Sequence, residues 1–438
     1  MPVLGVEQLF MGGPEEYRTT VRELSDRLVE AQRPIRILDA IKWDNGVQER
    51  FFEGGFQEQP PVDEAYYAAR PLNFDADAQK LLFHEIERDI VRRLGQYSPV
   101  GQIMIRLCRE YQMVVRMLEA RGTPEFSSIS QELYGSATDV FHAGDPTLAD
   151  LGALMSEALN NIDHSLIFET EKKNITGEEA VARLQTRMDE IFPDAQRAVR
   201  VVLDDGIVAD AAAGSDYVKI RKDARFNERD LKLLEVHEGW VHVGTTLNGM
   251  NQPVCTFLSK GVPSSTITQE GLALFMEIIT FTSHPGRLRR VTNRIRAVHL
   301  AEEGATFLDV FNFFRDQGFN EEDSYGNASR VYRGSTPTDG PFTKDLTYSK
   351  GFILIYNYIR LAVRKGKLGR IPLLFCGKTT LEDIRTLAQL VDEGIVTPPK
   401  YLPPQFADMK ALTAWMCYSN FLNRLNLQRI EADYTNIL

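Results

Sequence analysis

The stretch NERDLKLLEVHEGWVHVGTTLNG, residues 227–249, decides how this chain is read. Asn227, followed three residues later by Asp230, predicts a capped helix start, and Asn248-Gly249 predicts its end. Within it, two of the chain's seven histidines form His237-Glu238-Gly239-Trp240-Val241-His242, an HExxxH pattern. The better-known zinc-binding HExxH places its histidines at i and i+4 on one helix face, with the glutamate in reach of a metal-bound water. Here there is one residue more. On an ideal helix an i to i+5 pair is about 140° apart, so both imidazoles meet one metal only if the helix is locally unwound, closing i to i+5 bonds. Gly239 is expected to ease that unwinding.

Downstream, TQEGLALFMEI (residues 268–278) predicts a helix that offers Glu270 as a third zinc ligand. Two histidines and one glutamate form a known catalytic set that leaves the fourth position to water. Gly271 and Ala273 are expected to let this helix approach the motif helix closely. Glu277, seven residues after Glu270 and on nearly the same face, is either an orienting partner for a ligand or a solvated, salt-bridged carboxylate. The competing reading of the motif is two partly buried histidines bonded to neighbouring backbone. His84-Glu85 has no second histidine nearby, and His142, His164 and His299 have no ligand spacing, so they read as structural.

Upstream, apolar residues at three-and-four spacing predict helices in VRELSDRLVEAQRPIRILDAI, AQKLLFHEIERDIVRRLG and GQIMIRLCREYQMVVRMLEARG. A Gly/Pro-punctuated connector over residues 51–75 is expected to wrap without forming an element. AVRVVLDD and YVKIRKD, on either side of the small-residue segment GIVADAAAGSD, predict a strand pair. The remainder reads as helical, including the apolar segment from Tyr348 to Val363. The expected fold is α+β and predominantly helical, with an N-terminal helical region over 1–165 and a zincin-like catalytic core with a small sheet over 166–438.

Composition fits that expectation. The 438 residues are 43% hydrophobic and 25% charged, enough for a sizeable core. Fifty basic against sixty-one acidic residues give a net charge of −11, which argues against a general nucleic-acid or anionic-membrane binder. Four dispersed cysteines without a CxxC pair suggest neither a disulfide framework nor a thiolate zinc site. The N-terminal twenty residues lack a basic segment followed by an apolar one, and the most apolar stretch, residues 351–363, is interrupted by Asn357 and Arg360. A cytoplasmic protein is expected.

HEGWVHVGTTLNG, TQEGLALFMEI and FTKDLTYSKG taken together resemble the QEGLA-motif family, bacterial proteins labelled as flavohaemoglobin expression modulators, and the related microtubule-associated tyrosine carboxypeptidases. The resemblance runs from about residue 20 to the C-terminus. It implies zinc held by His237, His242 and Glu270, with Glu238 as general base activating a zinc-bound water, in a metallocarboxypeptidase that hydrolyses the C-terminal residue of peptides or proteins. That chemistry asks for an oxyanion donor and a cation for the terminal carboxylate, preferably the forked guanidinium of Arg. RVYRGST (330–336) and FTKDLTY (342–348) supply Tyr348 as catalytic donor and Arg330, Arg333 and Lys344 as substrate-binding residues, Arg333 first and Lys344 second. The run HPGRLRRVTNRIR (284–296) either receives an acidic partner or solvates a helix face. Two other readings remain open. One is an HExxxH dipeptidyl-peptidase, which needs groups that hold a free amine where this block is cationic. The other is a regulatory or scaffold protein with a structural metal site, for which Glu238 has no use.

Overall fold

The computed structural model describes residues 13–162, 172–194, 199–207, 209–214 and 216–434. The division expected near residue 165 and His164 lie outside the described residues. The chain is predominantly helical with one small sheet. Helices α1 (Pro14–Ala31), α2 (Asn45–Glu53), α3 (Ala76–Leu94), α4 (Pro99–Glu119), α5 (Pro124–Tyr134), α6 (Leu148–Asn160) and α7 (Gly177–Ile191) lead into strands β1 (Arg200–Asp204), β2 (Ala211–Ala213) and β3 (Tyr217–Arg221). Then follow α8 (Glu228–Leu234), a π-helical turn (Glu235–Val243), α9 (Gly244–Met250), α10 (Pro263–Ile279), α11 (Pro285–Glu302), α12 (Phe307–Asp316), α13 (Glu321–Tyr332), α14 (Thr347–Arg364), α15 (Ile384–Asp392), α16 (Lys410–Leu422) and α17 (Leu427–Tyr434). Among the described residues no helix is long and apolar enough to cross a membrane.

The strand pair is present, and the segment between its members adds a third strand. The order is β1-β3-β2, with β1 parallel and β2 antiparallel to β3. Ala212 faces Lys219 between the bonds Gly214 N–Tyr217 O and Arg221 N–Asp210 O, so its backbone groups point at β3. Those of Ala211 and Ala213 therefore point away from β3, toward the edge that carries the site. The connector over 51–75 is less bare than its composition predicts: it begins in α2 and holds a short helix, Glu64–Ala68, capped by Asp63.

The largest apolar cluster joins α1, α3, α4 and α5 to Val236 and Val241 of the π turn and to α10, α14 and α15. A second packs α7 and the sheet against Val243 and Leu247, and a third joins Phe51, α11, α12 and α13 to Leu346. The π turn thus lies between the first two, and the Lys344–Tyr348 segment closes the third. Packing on these sides holds both backbones where the polar side chains meet.

Candidate metal centre and its cationic wall

The predicted capping box forms: the Asn227 side chain accepts from Asp230 N at 2.8 Å and Asp230 accepts from Asn227 N at 3.1 Å. After the seven residues of α8 the helix widens, and Glu235–Val243 is π-helical, as the i to i+5 spacing requires. His237 and His242 meet with ring centroids 4.8 Å apart. Gly239 lies inside this turn and also packs closely against a neighbouring helix. It is absent from the left-handed backbone positions, and a Cβ there would come within 2.6 Å of Met188 Cε, so it makes room for α7. The helix ends one residue beyond the expected Asn248-Gly249, at Met250. Asn248 lies within α9, donating to Phe375 O and Tyr401 O and accepting from Lys400 N and Tyr401 N, which ties the helix to two distant loops.

Helix α10 brings Glu270 to the pair. Its Oε2 lies 3.6 Å from His237 Nε2 and 3.5 Å from His242 Nε2, and the three side chains form a group whose ligand atoms lie within 4.8 Å of one another. Arms of 2.0–2.2 Å in a tetrahedral zinc site imply ligand–ligand edges of about 3.3–3.6 Å, and both His–Glu edges fall in that range. They are too long for hydrogen bonds, and the buried Glu270 Oε2 has no hydrogen-bond partner among the described residues. An orphaned carboxylate oxygen facing two imidazole nitrogens fits a cation.

The surroundings fix each ligand. Glu277, with no exposed surface, bonds His237 Nδ1 through Oε1 at 2.7 Å and is itself held by Arg287, Nη2 to Oε1 at 2.9 Å and Nε to Oε2 at 3.1 Å. This leaves His237 Nε2 aimed at the cluster. Burial would raise the Glu277 carboxyl, but the Arg287 charge and the His237 bond outweigh it and hold it at about 2. Burial opposes charge on His237, yet the Glu270 and Glu277 carboxylates outweigh it and raise its pKa well above the usual imidazole range. Glu270 is also desolvated, and the Lys344 charge, with Nζ 3.0 Å from Oε1, dominates and holds its carboxyl far below the usual range. Glu238 is pinned from the sheet: its Oε2 accepts from Ala213 N at 2.9 Å, while Oε1 stands 3.9 Å from His237 Nε2.

Opposite lies a wall of cations. The Arg-rich helix turns inward rather than solvating a surface. Arg287 holds Glu277, Arg294 Nε stands 3.8 Å from Asp345, and both guanidinium groups flank the Tyr348 ring at 5.9 and 5.1 Å. Arg330 forks onto Asp345 at 2.8 and 2.6 Å and is thereby committed. Lys344 is committed to Glu270. Arg333 is 8% exposed, lies over the Phe342 ring and makes no salt bridge among the described residues; its Nε is buried without a hydrogen-bond partner. Burial and then the Arg330 charge pull its guanidinium down to about 10. Tyr348 bridges the two sides, its ring 6.3 Å from that of His237.

A helix crossing brings these sides together. Gly271 of α10 meets Gly351 of α14, not the motif helix as its sequence suggests. A Cβ at Gly271 would come within 2.1 Å of Gly351 C, and one at Gly351 within 2.0 Å of Ile267 O. Only paired glycines allow this approach, which sets Tyr348 three residues before the crossing beside Glu270 one residue before it. His142 pairs with Asp145 at the surface and His299 approaches Glu303, so neither belongs to the site.

Fold and site together define a mainly helical protein with a buried side-chain cluster fit for a metal ion. A family model for the microtubule-associated tyrosine carboxypeptidases matches residues 49–424, and the chain belongs to that family. No curated protein matches it.

Proposed function

We propose that this chain is a zinc-dependent metallocarboxypeptidase that removes the C-terminal residue of peptides or proteins. The observation that carries this reading is the presence, in one site region, of a His–His–Glu cluster and a buried guanidinium, Arg333, that makes no salt bridge among the described residues. His237, His242 and Glu270 would hold the metal. When bound, zinc supplies Lewis-acid polarisation of the scissile carbonyl and acidifies water. Glu238, with Oε2 held by Ala213 N–H, keeps Oε1 free to take a proton from the attacking water and deliver it to the leaving amine. Tyr348 offers its hydroxyl proton to the developing oxyanion. Arg333 binds the terminal carboxylate of the substrate, gaining the partner that the fold does not provide.

Lys344 and Arg330 act one step back, the first neutralising Glu270 and the second holding Asp345 among the arginines. A dipeptidyl-peptidase is disfavoured by the same wall, because a free amine would face cations. Membership in a tyrosine carboxypeptidase family makes peptides ending in tyrosine the first substrates to try. The four cysteines are all free, which suits a cytoplasmic protein. Mass analysis of peptides incubated with zinc-loaded protein tests the proposal. Stepwise loss of one C-terminal residue, abolished by chelation and by C-terminal amidation, is the expected result; release of N-terminal dipeptides, or no cleavage at all, contradicts it.

A further inference from the structure

The π turn leaves a problem that no metal ligand solves. Its last residues must keep His242 directed at Glu270, which belongs to another helix, and widening the helix disturbs the backbone bonds that normally fix such a direction. The His242 carbonyl is served by side chains. Thr246 Oγ1 donates to it at 2.7 Å and Lys378 Nζ at 2.9 Å. Lys378 comes from a loop 136 positions away, and its amine also donates to Thr245 Oγ1 and to Gln269 Oε1, each at 2.9 Å.

The count of donors is informative. Thr245 Oγ1 lies within reach of Val241 O at 2.6 Å, His242 O at 3.2 Å and Gln269 Oε1 at 2.7 Å, but a hydroxyl has one proton. With three protons on Lys378 serving His242 O, Gln269 Oε1 and Thr245 Oγ1, the Thr245 proton is free for Val241 O, its shortest contact. Gln269 adds an independent observation. Its Nε2 is buried without a hydrogen-bond partner among the described residues, so the residue is used in this network for its oxygen alone. Gln269 immediately precedes Glu270 on α10.

We propose that Lys378 is a positioning residue that clamps the end of the π turn to α10, fixing His242 and Glu270 relative to one another for metal binding. The clamp spans the two elements that carry the ligands: one bond goes to the carbonyl of one ligand residue and one to the neighbour of the other. No carboxylate pairs with the Lys378 amine among the described residues. A lysine kept in such a place with three acceptors, and no counter-ion, is placed for geometry rather than for charge pairing.

This inference rests on the zinc reading above, and its test separates the two. Zinc affinity is measured by competition with a chromophoric chelator for the wild type, Lys378→Met, Gln269→Met and the double variant, with the visible spectrum of each Co2+-loaded protein as a second readout. Gln269→Met stands in should Lys378→Met not fold. Each single change is expected to weaken zinc binding roughly 10–100-fold, the range for partners that orient ligands. The double variant is expected to lose little beyond either single one, because both break one link. The Co2+ spectrum of the variants is expected to differ from that of the wild type in intensity and position. Wild-type affinity and spectrum in the single variants, or losses that simply multiply in the double, would overturn the clamp alone. A wild type that binds no zinc would overturn the metal reading and the clamp together.

Discussion

The two sides of the site are built in opposite ways. On the acidic side, His237, Glu238 and His242 come from one nine-residue π turn, and Glu270 and Glu277 from one helix. On the cationic side, Arg287 and Arg294 come from α11, Arg330 and Arg333 from the end of α13, Lys344 from the 3-10 turn Thr343–Leu346 and Tyr348 from the start of α14. The first side concentrates carboxylates around imidazoles, and the second concentrates guanidinium groups around one phenol. Under the proposed function, the first side, made of two elements close in sequence, would hold a small, geometrically demanding ion. The second, assembled from three separate segments, would receive the substrate's carboxylate and, through Tyr348, the developing oxyanion.

The sharpest way to break this division is Glu238→Gln. The amide keeps a carbonyl oxygen for Ala213 N–H but cannot accept the proton, so hydrolysis is expected to fall by about 10²–10⁴-fold with zinc content unchanged. Full activity would remove Glu238 from the mechanism. Arg333→Ala is expected to act on the other side only: kcat/KM for a free C-terminus should drop roughly 10–100-fold, as for a lost charge-assisted bond of about 1.5–3 kcal/mol. An amidated peptide, already poor for the wild type, should be little affected. Equal losses on both peptides would mean that Arg333 does not read the carboxylate.

Glu277→Gln sharpens the comparison within the acidic side. It leaves Arg287 unpaired and weakens the hold on His237 Nδ1, so zinc affinity is expected to fall about 10–100-fold in a chelator competition. Gly271→Ala addresses the crossing that joins the two sides. Its Cβ would meet the Gly351 backbone, and chemical denaturation should show a loss of about 1–3 kcal/mol, with Tyr348 displaced from Glu270. Gly239→Ala should have the smallest effect. Its Cβ meets only the flexible end of Met188, and alanine gains up to about 1 kcal/mol in helix propensity, so stability should stay within about 1 kcal/mol of wild type. A large loss there would show that the π turn itself depends on glycine at this position.

The same contrast governs what the sequence discloses. The HExxxH spacing dictates a π turn because two ligands five residues apart have no other way to share a face, and Glu270 is visible because its helix follows closely. The strand pair is legible as β-branched runs, whereas β2 is hidden in Ala211–Ala213, residues with weak strand preference that pair because β3 offers an open edge. Asn248-Gly249 marks the helix end to within a residue but does not disclose its tertiary role: the asparagine side chain serves two loops, and a Cβ at Gly249 would meet Leu258 O at 2.3 Å. The commitment of Arg330 to Asp345, the crossing of Gly271 with Gly351 and the reach of Lys378 to His242 are set by packing between distant segments, and no local pattern encodes them.

The central claim is that His237, His242 and Glu270 hold a single zinc ion. Elemental analysis of purified protein after zinc loading and exhaustive dialysis tests it most directly, on the wild type beside His242→Ala and Glu270→Ala. The account predicts about one zinc per chain in the wild type and essentially none in either variant. A metal-free wild type, or variants that retain a full equivalent, would contradict it.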